Sequence, residues 1–269
     1  MDTHTADTAA SGEAAMGDIL QSTPCEGVLL IRMNRPAARN ALSIRLLGGI
    51  AGALRAAQSD PGVRAVVLAG DDKAFSAGAD IKEMPDNGIP MWGQKERLLA
   101  WKTIERFPKP LLAAVEGYAL GGGCELTLLC DIVIAGEAAR FGQPEVRIGA
   151  FPGDGGTQRL PRVIGKSRAM WMIMTGNFID GRKACEWGLA TEAVAPGQAL
   201  PRACEIAREI AGMSPIAIEM IKQEVLMTDS KPLDESLSLE RKLLLWQTED
   251  HDEGIAAFME KRKPVFKGR

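Results

Sequence analysis

Short apolar runs recur through the first half of the chain and predict strands that are buried on both faces. Four are clear: residues 27–33 (GVLLIRM), 63–69 (VRAVVLA), 111–115 (LLAAV) and 131–135 (DIVIA). Turn-forming residues bound them, such as Asn34-Arg35-Pro36 and Glu116-Gly117. Continuous apolar strands that alternate with longer segments are typical of a mostly parallel, buried sheet, so we expect an α/β protein.

Between these runs the apolar positions change to helical spacing. One such set follows the first run: Leu42, Leu46, Ile50, Leu54 and Ala57. This spacing predicts a helix that Asn40 or Ser43 can cap and that Asp60-Pro61-Gly62 ends. A second helical stretch ends at about Phe107, before two prolines, and a third is predicted over 121–130.

The pattern changes after about residue 200, where no convincing strand remains. Helical stretches are predicted at 201–212, 215–227, 233–248 and 251–262. They form a C-terminal region, 201–269, that either caps the core or packs on a partner subunit, because an amphipathic stripe does not say what covers it. The first residues, 1–18, are small, polar and aperiodic, which predicts a disordered tail before a core of residues 19–200.

Composition and charge exclude several classes of protein. The 269 residues include 46% hydrophobic and 25% charged positions, as in ordinary folded domains. The formal charge is −3, so no electrostatic footprint for nucleic acid is present. No run approaches the roughly 20 apolar residues of a membrane helix, and the start lacks a secretory signal. The five cysteines form no CxxC pair, so we expect reduced core residues and a cytoplasmic location.

The scarcity of histidine narrows the chemistry. His4 and His251 are the two histidines, and no GxSxG, HExxH, complete phosphate loop or GxGxxG after a strand occurs. A hydrolytic triad, a metal site and a dinucleotide fold are therefore disfavoured, and we expect no cofactor. An enzyme of this composition would use carboxylates as acids and bases and backbone amides to stabilise charge.

Three segments carry candidate chemistry. In GYALGGGCELTLLCD (117–131), glycines open a helix and Glu125 follows within its first turn. The free amides of such a helix start can bind a developing oxyanion. The same glycine-rich pattern also occurs where a helix merely packs closely across a strand. In AFSAGADIKEM (74–84), the amide of Ala79 beside Gly78 would face a cleft if the segment is functional, although alone it is also typical of a loop before a helix. FGQPEVRIGAFPGDGGTQRL (141–160) contains Glu145, which composition alone would assign to the surface.

Taken in order, these motifs resemble those of the enoyl-CoA hydratase/isomerase (crotonase) family. NRPAARNAL, AGADIKEM, GYALGGGCEL, FGQPE and PGDGGTQRLPR match in register, and the resemblance runs from about Gly27 to the final KRKPVFKGR. It implies a spiral of repeated ββα units and a helical C-terminal trimerisation region. It also implies an acyl-CoA thioester as substrate and a homotrimer or a dimer of trimers.

The resemblance further implies roles for single residues. Glu125 and Glu145 correspond to the acid/base pair of the hydratases, with Glu125 on the water and Glu145 delivering the proton to Cα. The amides of Ala79 and Gly122 correspond to the oxyanion hole that an enolate-like transition state requires. Isomerases and hydrolases on this fold often keep one of the two acids or move it, and some relatives bind RNA instead.

Coenzyme A contacts are implied along two segments and at the glycine motif. The residues are Arg35, Ala37, Ala38, Ala77, Asp80, Ile81, Lys82 and Gly121. Arg35, Arg39 or Lys82 would neutralise phosphate. In the C-terminal region, Phe258 and Lys261 would reach the adenine site of a neighbouring subunit.

Asp154 departs from the family pattern, because relatives often carry a small residue there. If buried near the acid pair, it would raise the pKa values of that pair and disfavour a long plain alkyl chain; otherwise it would face solvent or an acyl pocket. NRPAARNAL and the KGR terminus also resemble dehydroadipyl-CoA hydratases, whose acyl group has a polar end. Met84, Trp92 and Trp101 either close over the acyl chain or belong to the core.

Overall fold

Two β-sheets organise the described part of the chain, which in this computed structural model comprises residues 14–83, 94–228, 230–240 and 247–269. The strands are β1 (Ala14–Met16), β2 (Ile19–Cys25), β3 (Val28–Met33), β4 (Ala65–Ala69), β5 (Ala74–Ser76), β6 (Leu111–Val115), β7 (Tyr118–Leu120), β8 (Ile132–Gly136), β9 (Arg140–Gly142), β10 (Phe178–Asp180) and β11 (Glu192–Val194). The larger sheet has the order β1-β2-β3-β4-β6-β8-β11 and the smaller one β10-β9-β7-β5.

Most neighbouring strands are parallel, as the apolar runs predict. Pairs β3–β4, β4–β6, β6–β8 and β8–β11 are parallel in the larger sheet, as are β5–β7 and β7–β9 in the smaller one. The hairpin β1–β2–β3 and the pair β9–β10 are antiparallel.

The helices follow the strands in a repeating pattern. They are α1 (Ile44–Ser59), α2 (Lys95–Glu105), α3 (Gly122–Thr127), α4 (Gly156–Ile164), α5 (Lys166–Thr175), α6 (Gly181–Trp187), α7 (Ala199–Ala211), α8 (Pro215–Met227), α9 (Leu233–Glu240) and α10 (Glu249–Glu260). In β4–β5–α2 and β6–β7–α3, one strand joins the larger sheet, the next joins the smaller sheet, and a helix follows. The predicted fold of repeated ββα units is therefore confirmed.

Alternating residues of the central strands point to opposite faces of the sheet and pack into two separate cores. In β4, Val66 and Leu68 pack with the helices α1 and α2, whereas Ala65 and Val67 face the opposite core. The strand is buried throughout, which explains why its sequence is apolar without alternation.

Helix α7 covers the second core, which is one of the two arrangements that the sequence left open for the C-terminal helices. Its alanines recur every four residues and pack on β3, β4, β6 and β8: Ala199, Ala203, Ala207 and Ala211. Small side chains let the helix lie close to the sheet, so α7 belongs to the core layer. By contrast, α8 buries no residue completely. The predicted helix 233–248 is α9 at its start, and residues 241–246 lie outside the described part.

The start of the chain also differs from the prediction. Residues 14–16 form β1 and pair with β2, and Asp18 is buried, where it accepts a 2.8 Å hydrogen bond from Arg45 Nε. The predicted tail of 1–18 is thus too long at its C-terminal end. Residues 1–13 lie outside the described part.

Two glycine-to-alanine substitutions test the close packing of α3 against β5. A Cβ at Gly123 would lie 2.3 Å from the Ser76 carbonyl oxygen, so we expect Gly123→Ala to lower the free energy of unfolding by about 2–3 kcal/mol. At the exposed Gly48 in α1, a Cβ meets no atom within 4 Å, so Gly48→Ala should raise it by about 0.5–1 kcal/mol. Urea denaturation measures both. Equal effects of the two substitutions would contradict this packing.

Candidate active site

The start of α3 lies unusually close to the backbone of the smaller sheet. Gly121 has a φ of 52° and donates its N–H to the Gly142 carbonyl at 2.9 Å, and Gly122 begins the helix. Gly78 has a φ of 105°, and a Cβ there would lie 2.8 Å from the Leu120 carbonyl oxygen. Side chains would separate these segments, so glycine is required for the contact.

This contact places the amides of Ala79 and Gly122 beside each other. A Cβ at Gly78 would lie 3.5 Å from the Gly122 nitrogen, and one at Gly122 would lie 3.5 Å from the Ala79 nitrogen. Within the described residues, neither N–H donates a hydrogen bond to the protein. Gly122 is the first residue of α3, where helix amides have no partner in the helix. Two N–H donors without a protein acceptor therefore lie close together.

Glu125 is held inside the protein by main-chain donors. Its side chain is 2% exposed, and its Oε1 accepts hydrogen bonds from the N–H groups of Asp154 (2.8 Å) and Gly156 (2.7 Å). Burial, and next the charge of Asp154, raise the pKa of Glu125 from 4.5 to about 8, while the Gly156 amide opposes the shift. A carboxyl of this kind can hold a proton at neutral pH.

Glu145 lies next to the same helix start. It follows Pro144 in the 3-10 turn Pro144–Ile148, and its Oε1 is 2.7 Å from the position that a Cβ on Gly121 would take. Its Oε2 is buried and has no hydrogen-bond partner in the described part of the chain. Burial raises the pKa of Glu145, and its charge contributes to the raised pKa of Glu125. Both acids therefore lie near the start of α3.

The side chain of Asp154 is largely removed from solvent, so it does not face the surrounding water. Its side chain is 11% exposed and forms an ion pair with Nη2 of Arg97, which is 1% exposed. The Arg97 guanidinium also stacks over the Trp101 ring, 5.6 Å from its centroid. Trp101 belongs to the main core cluster, whereas Met84 and Trp92 lie outside the described residues.

The two predicted coenzyme A segments lie side by side. Ala77 donates its N–H to the Arg39 carbonyl at 2.9 Å, and Leu42 donates to the Gly78 carbonyl at 2.7 Å. Ala37, Ile81 and Lys82 are exposed along this edge, and Ala38 is half-buried. A backbone-lined strip thus runs from the glycine motif toward solvent.

The positively charged side chains along this strip differ in the contacts that they already make with the protein. Arg35 pairs with Asp80 (2.8 Å) and lies 3.6 Å from Asp18, so a phosphate would compete there with two carboxylates. Arg39 stacks over the Tyr118 ring at 5.9 Å, and Lys82 makes no ion pair with any described residue. Arg39 and Lys82 are accordingly better placed to meet phosphate than Arg35.

Two buried polar residues of this region were not singled out by sequence reasoning. Gln143 is fully buried, and neither polar atom of its amide has a partner among the described residues. It stands in the FGQPE motif, so that motif contained the signal. Arg97 is near the start of α2 in a stretch with no motif, and its burial has no signature in the sequence.

Metal and membrane sites are not found in the described ranges. Among residues 14–83, 94–228, 230–240 and 247–269, no three His, Cys, Asp or Glu side chains are placed to hold a metal ion. Over the same residues no helix has the length and apolar character needed to cross a bilayer.

Comparison with known proteins gives consistent matches over nearly the whole chain. A family model described as enoyl-CoA hydratase/isomerase matches residues 24–269. The chain is 45% identical over 244 residues to the 2,3-dehydroadipyl-CoA hydratase of Escherichia coli (strain K12), covering 90% of this chain and 96% of that protein. It is 45% identical over 240 residues to the mitochondrial enoyl-CoA hydratase of Pongo abelii, covering 88% and 83%.

Two solved structures are also similar to this chain over most of its length. An enoyl-CoA hydratase subunit I from Geobacillus kaustophilus HTA426 is similar with a TM-score of 0.89 and 38% identity, covering 95% of this chain and all of that one. The enoyl-CoA hydratase of Bacillus anthracis is similar with a TM-score of 0.87 and 36% identity, covering 94% of this chain and 100% of the other.

The raised pKa of Glu125 predicts a pH-dependent stability. The folded protein holds this proton up to about pH 8, whereas the unfolded chain releases it near 4.5. The stabilisation from the bound proton is complete below about pH 4.5 and is lost as the pH rises to about 8, at up to about 1.4 kcal/mol per pH unit. Denaturant unfolding of wild type and Glu125→Gln across this range should show a difference that falls with pH. A difference in the free energy of unfolding that does not change with pH would contradict the raised pKa of Glu125.

Proposed function

Because the chain belongs to the enoyl-CoA hydratase/isomerase family, we propose that it adds water to a trans-2-enoyl-CoA thioester to give a 3-hydroxyacyl-CoA. The observation that carries the proposal is the placement of the buried Glu125 and the half-buried Glu145 beside two amides without protein acceptors. Water addition needs an acid, a base and a site for negative charge, and this arrangement supplies all three.

The amides of Ala79 and Gly122 stabilise the thioester oxygen. Attack at Cβ moves negative charge onto that oxygen, giving an enolate-like transition state. Preorganised N–H donors in a buried site stabilise such charge without rearranging, and losing one donor typically costs about 3–4 kcal/mol in the barrier. The dipole of α3 adds to the effect at its first residues.

The acid pair moves the protons. Glu125 takes a proton from the water whose oxygen bonds to Cβ, and Glu145 gives a proton to Cα. One carboxyl must therefore be ionised while the other is protonated. Burial raises both pKa values, and the charge of Glu145 contributes to the raised pKa of Glu125, so we treat the two groups as a pair that titrates together. A pair that retains one proton near neutral pH meets this requirement when that proton lies on Glu145, so the reactive form is the one in which Glu125 is ionised.

The alternatives on the same fold place different demands on the site. Double-bond isomerisation or thioester hydrolysis can proceed with one of the two acids, so retaining both favours hydration. RNA binding would need a basic surface, which a chain with a net charge of −3 does not favour.

The acyl group is best matched by a short chain with a polar end. Asp154 and Arg97 form a buried ion pair beside the acid pair, and burying a long plain alkyl chain against these charges is unfavourable. The similar protein of Escherichia coli is named for a dehydroadipyl group. Coenzyme A would lie along the strip of residues 35–39 and 77–82, with Lys82 or Arg39 near phosphate, in a cytoplasmic enzyme without a cofactor.

The C-terminal helices leave a surface that suits association. Large apolar side chains are exposed on α8 and α10: Ile221, Val225, Ile255, Phe258 and Met259. We propose that they contact neighbouring copies in a trimer or a dimer of trimers, with Phe258 and Lys261 reaching toward a neighbour's adenine site. Phe258 is 81% exposed in the single chain, which a partner subunit would relieve.

Removing either acid tests the reaction directly. We expect Glu125→Gln and Glu145→Gln each to lower kcat/KM by about 10²–10⁴-fold, because each removes one proton-transfer group. Loss of enoyl absorbance measures this on crotonyl-CoA, a long-chain enoyl-CoA and 2,3-dehydroadipyl-CoA. Glu192→Gln is the control, since Glu192 pairs with Arg202 outside the site and should keep normal turnover. Near-normal turnover by either acid variant would overturn the role assignment.

Light scattering tests the association. The wild-type protein should have a mass of three or six times 28.8 kDa. Phe258→Asp together with Val225→Asp should shift the measured mass toward that of a single chain, because each substitution would bury a charge in the contact between copies. The exposed double substitution Glu186→Gln and Lys183→Gln is the control. A single-chain mass for the wild type would refute the assembly.

A further inference from the structure

A buried ion pair next to the acid pair has no part in the proposed reaction steps. Arg97 of α2 binds Asp154, which stands in the loop before α4. We propose that the Arg97–Asp154 ion pair positions the acid pair: it fixes the loop whose N–H groups hold Glu125, and its net neutrality sets the charge that both glutamates face. This inference rests on the proposed function and adds two positioning residues to it.

All three polar groups of Asp154 are engaged, each with a different element. Its N–H donates to Glu125 of α3, its carbonyl accepts from Arg159 Nη1 of α4 at 3.0 Å, and its carboxylate binds Arg97 of α2. Arg159 is itself tied back to Glu105 of α2 at 2.5 Å. The loop is thus fixed from both sides, and a rigid loop keeps Glu125 in one orientation.

The position of Asp154 lets its charge act on both glutamates. Its Oδ2 would be 3.6 Å from a Cβ on Gly122, so it lies at the helix start where the acid pair meets. The charge of Asp154 contributes to the raised pKa of Glu125 and to that of Glu145. The charged groups around Glu125 are Asp154 and Glu145 on the negative side, with Arg97 and Arg159 behind Asp154 on the positive side.

Arg97 prevents the negative charges from accumulating. Three buried carboxyls in one region would repel each other, and the guanidinium offsets one of them because it cannot lose its proton. Burial raises the pKa of Asp154, and the contact with Arg97 opposes that shift. Nε and Nη1 of Arg97 find no acceptor among the described residues, so its electrostatic partner there is Asp154. Removing one member would leave an uncompensated charge beside the acids.

The test is the pH profile of kcat/KM with crotonyl-CoA. Asp154→Asn keeps the size, the main-chain N–H and an acceptor for Arg97, but leaves the cation unbalanced. An unbalanced cation favours ionised glutamates, so both limbs of the profile should move to lower pH by about one unit. Arg97→Met combined with Asp154→Asn is neutral again, so its limbs should return toward the wild-type positions.

A matched control separates charge balance from a general loss of charge. Glu96→Gln removes a carboxylate from the same helix, but Glu96 is exposed and water screens its charge. Its profile should match the wild type. Unchanged limbs in Asp154→Asn, or limbs of the double variant that stay with the single variant, would overturn the proposal, because a purely structural pair would alter the rate without moving the limbs.

A second measurement does not depend on turnover. The infrared C=O band of a protonated carboxyl, taken as wild type minus Glu125→Gln, follows the proton on Glu125 through a pH titration. In protein that carries Asp154→Asn, this band should disappear at a lower pH than in the wild type. In the double variant, it should disappear at a pH close to that of the wild type. If the wild type hydrates no enoyl-CoA, the proposed function fails while this titration still decides the inference. An identical midpoint in all three backgrounds would contradict it.

Discussion

The site depends on a backbone approach that only glycine allows. Gly123 lies against the Ser76 carbonyl, Gly78 lies against the Leu120 carbonyl, and Gly121 leaves room for the Glu145 carboxyl. A side chain at any of these places would push α3 away from the end of β5. With the glycines in place, the amides of Ala79 and Gly122 meet, and the first turn of α3 brings Glu125 to them. The close backbone packing at the glycines therefore determines where the amides and the carboxyls lie, and so determines the electrostatics of the site.

The fold produces this approach by repetition. Each ββα unit sends its second strand into the smaller sheet, so the ends of the parallel strands β5 and β7 lie side by side. The chain leaves β5 through the Gly78 segment and leaves β7 through the Gly121 segment, which places the two loops at one edge. The larger sheet and its two cores hold the units in register. Burial at that edge removes water, which strengthens the effect of each charge and raises the pKa values of the acids.

The sequence predicted the parts of the fold that have long or distinctive patterns. The runs at β3, β4, β6 and β8 and the spacing in α1 gave clear elements, because burial on both faces and helical periodicity leave strong signals. Strands such as β5, β7 and β9 have three residues each, too few for any period to show. The alanine stripe of α7 does not reveal from sequence alone whether the core or a partner subunit covers it. Residues 14–18 were assigned to the tail because their pairing with β2 is a long-range contact.

For the site, the acid pair and the two amides came from motifs, whereas Arg97 did not. Its position beside Asp154 results from the packing of α2 against the loop before α4, and a lone arginine in a variable stretch carries no local pattern. The same holds for the engagement of Arg35 by Asp80 and Asp18, which joins residues far apart in the chain. Contacts of this kind are set by the tertiary structure.

The most direct test of the central claim is a crystal structure of the protein with acetoacetyl-CoA bound. The thioester oxygen should lie within about 3 Å of both the Ala79 and the Gly122 nitrogens, with the Glu125 and Glu145 carboxyls on either side of the carbons that react. A thioester oxygen bound elsewhere, or the two carboxyls turned into separate regions, would contradict the account.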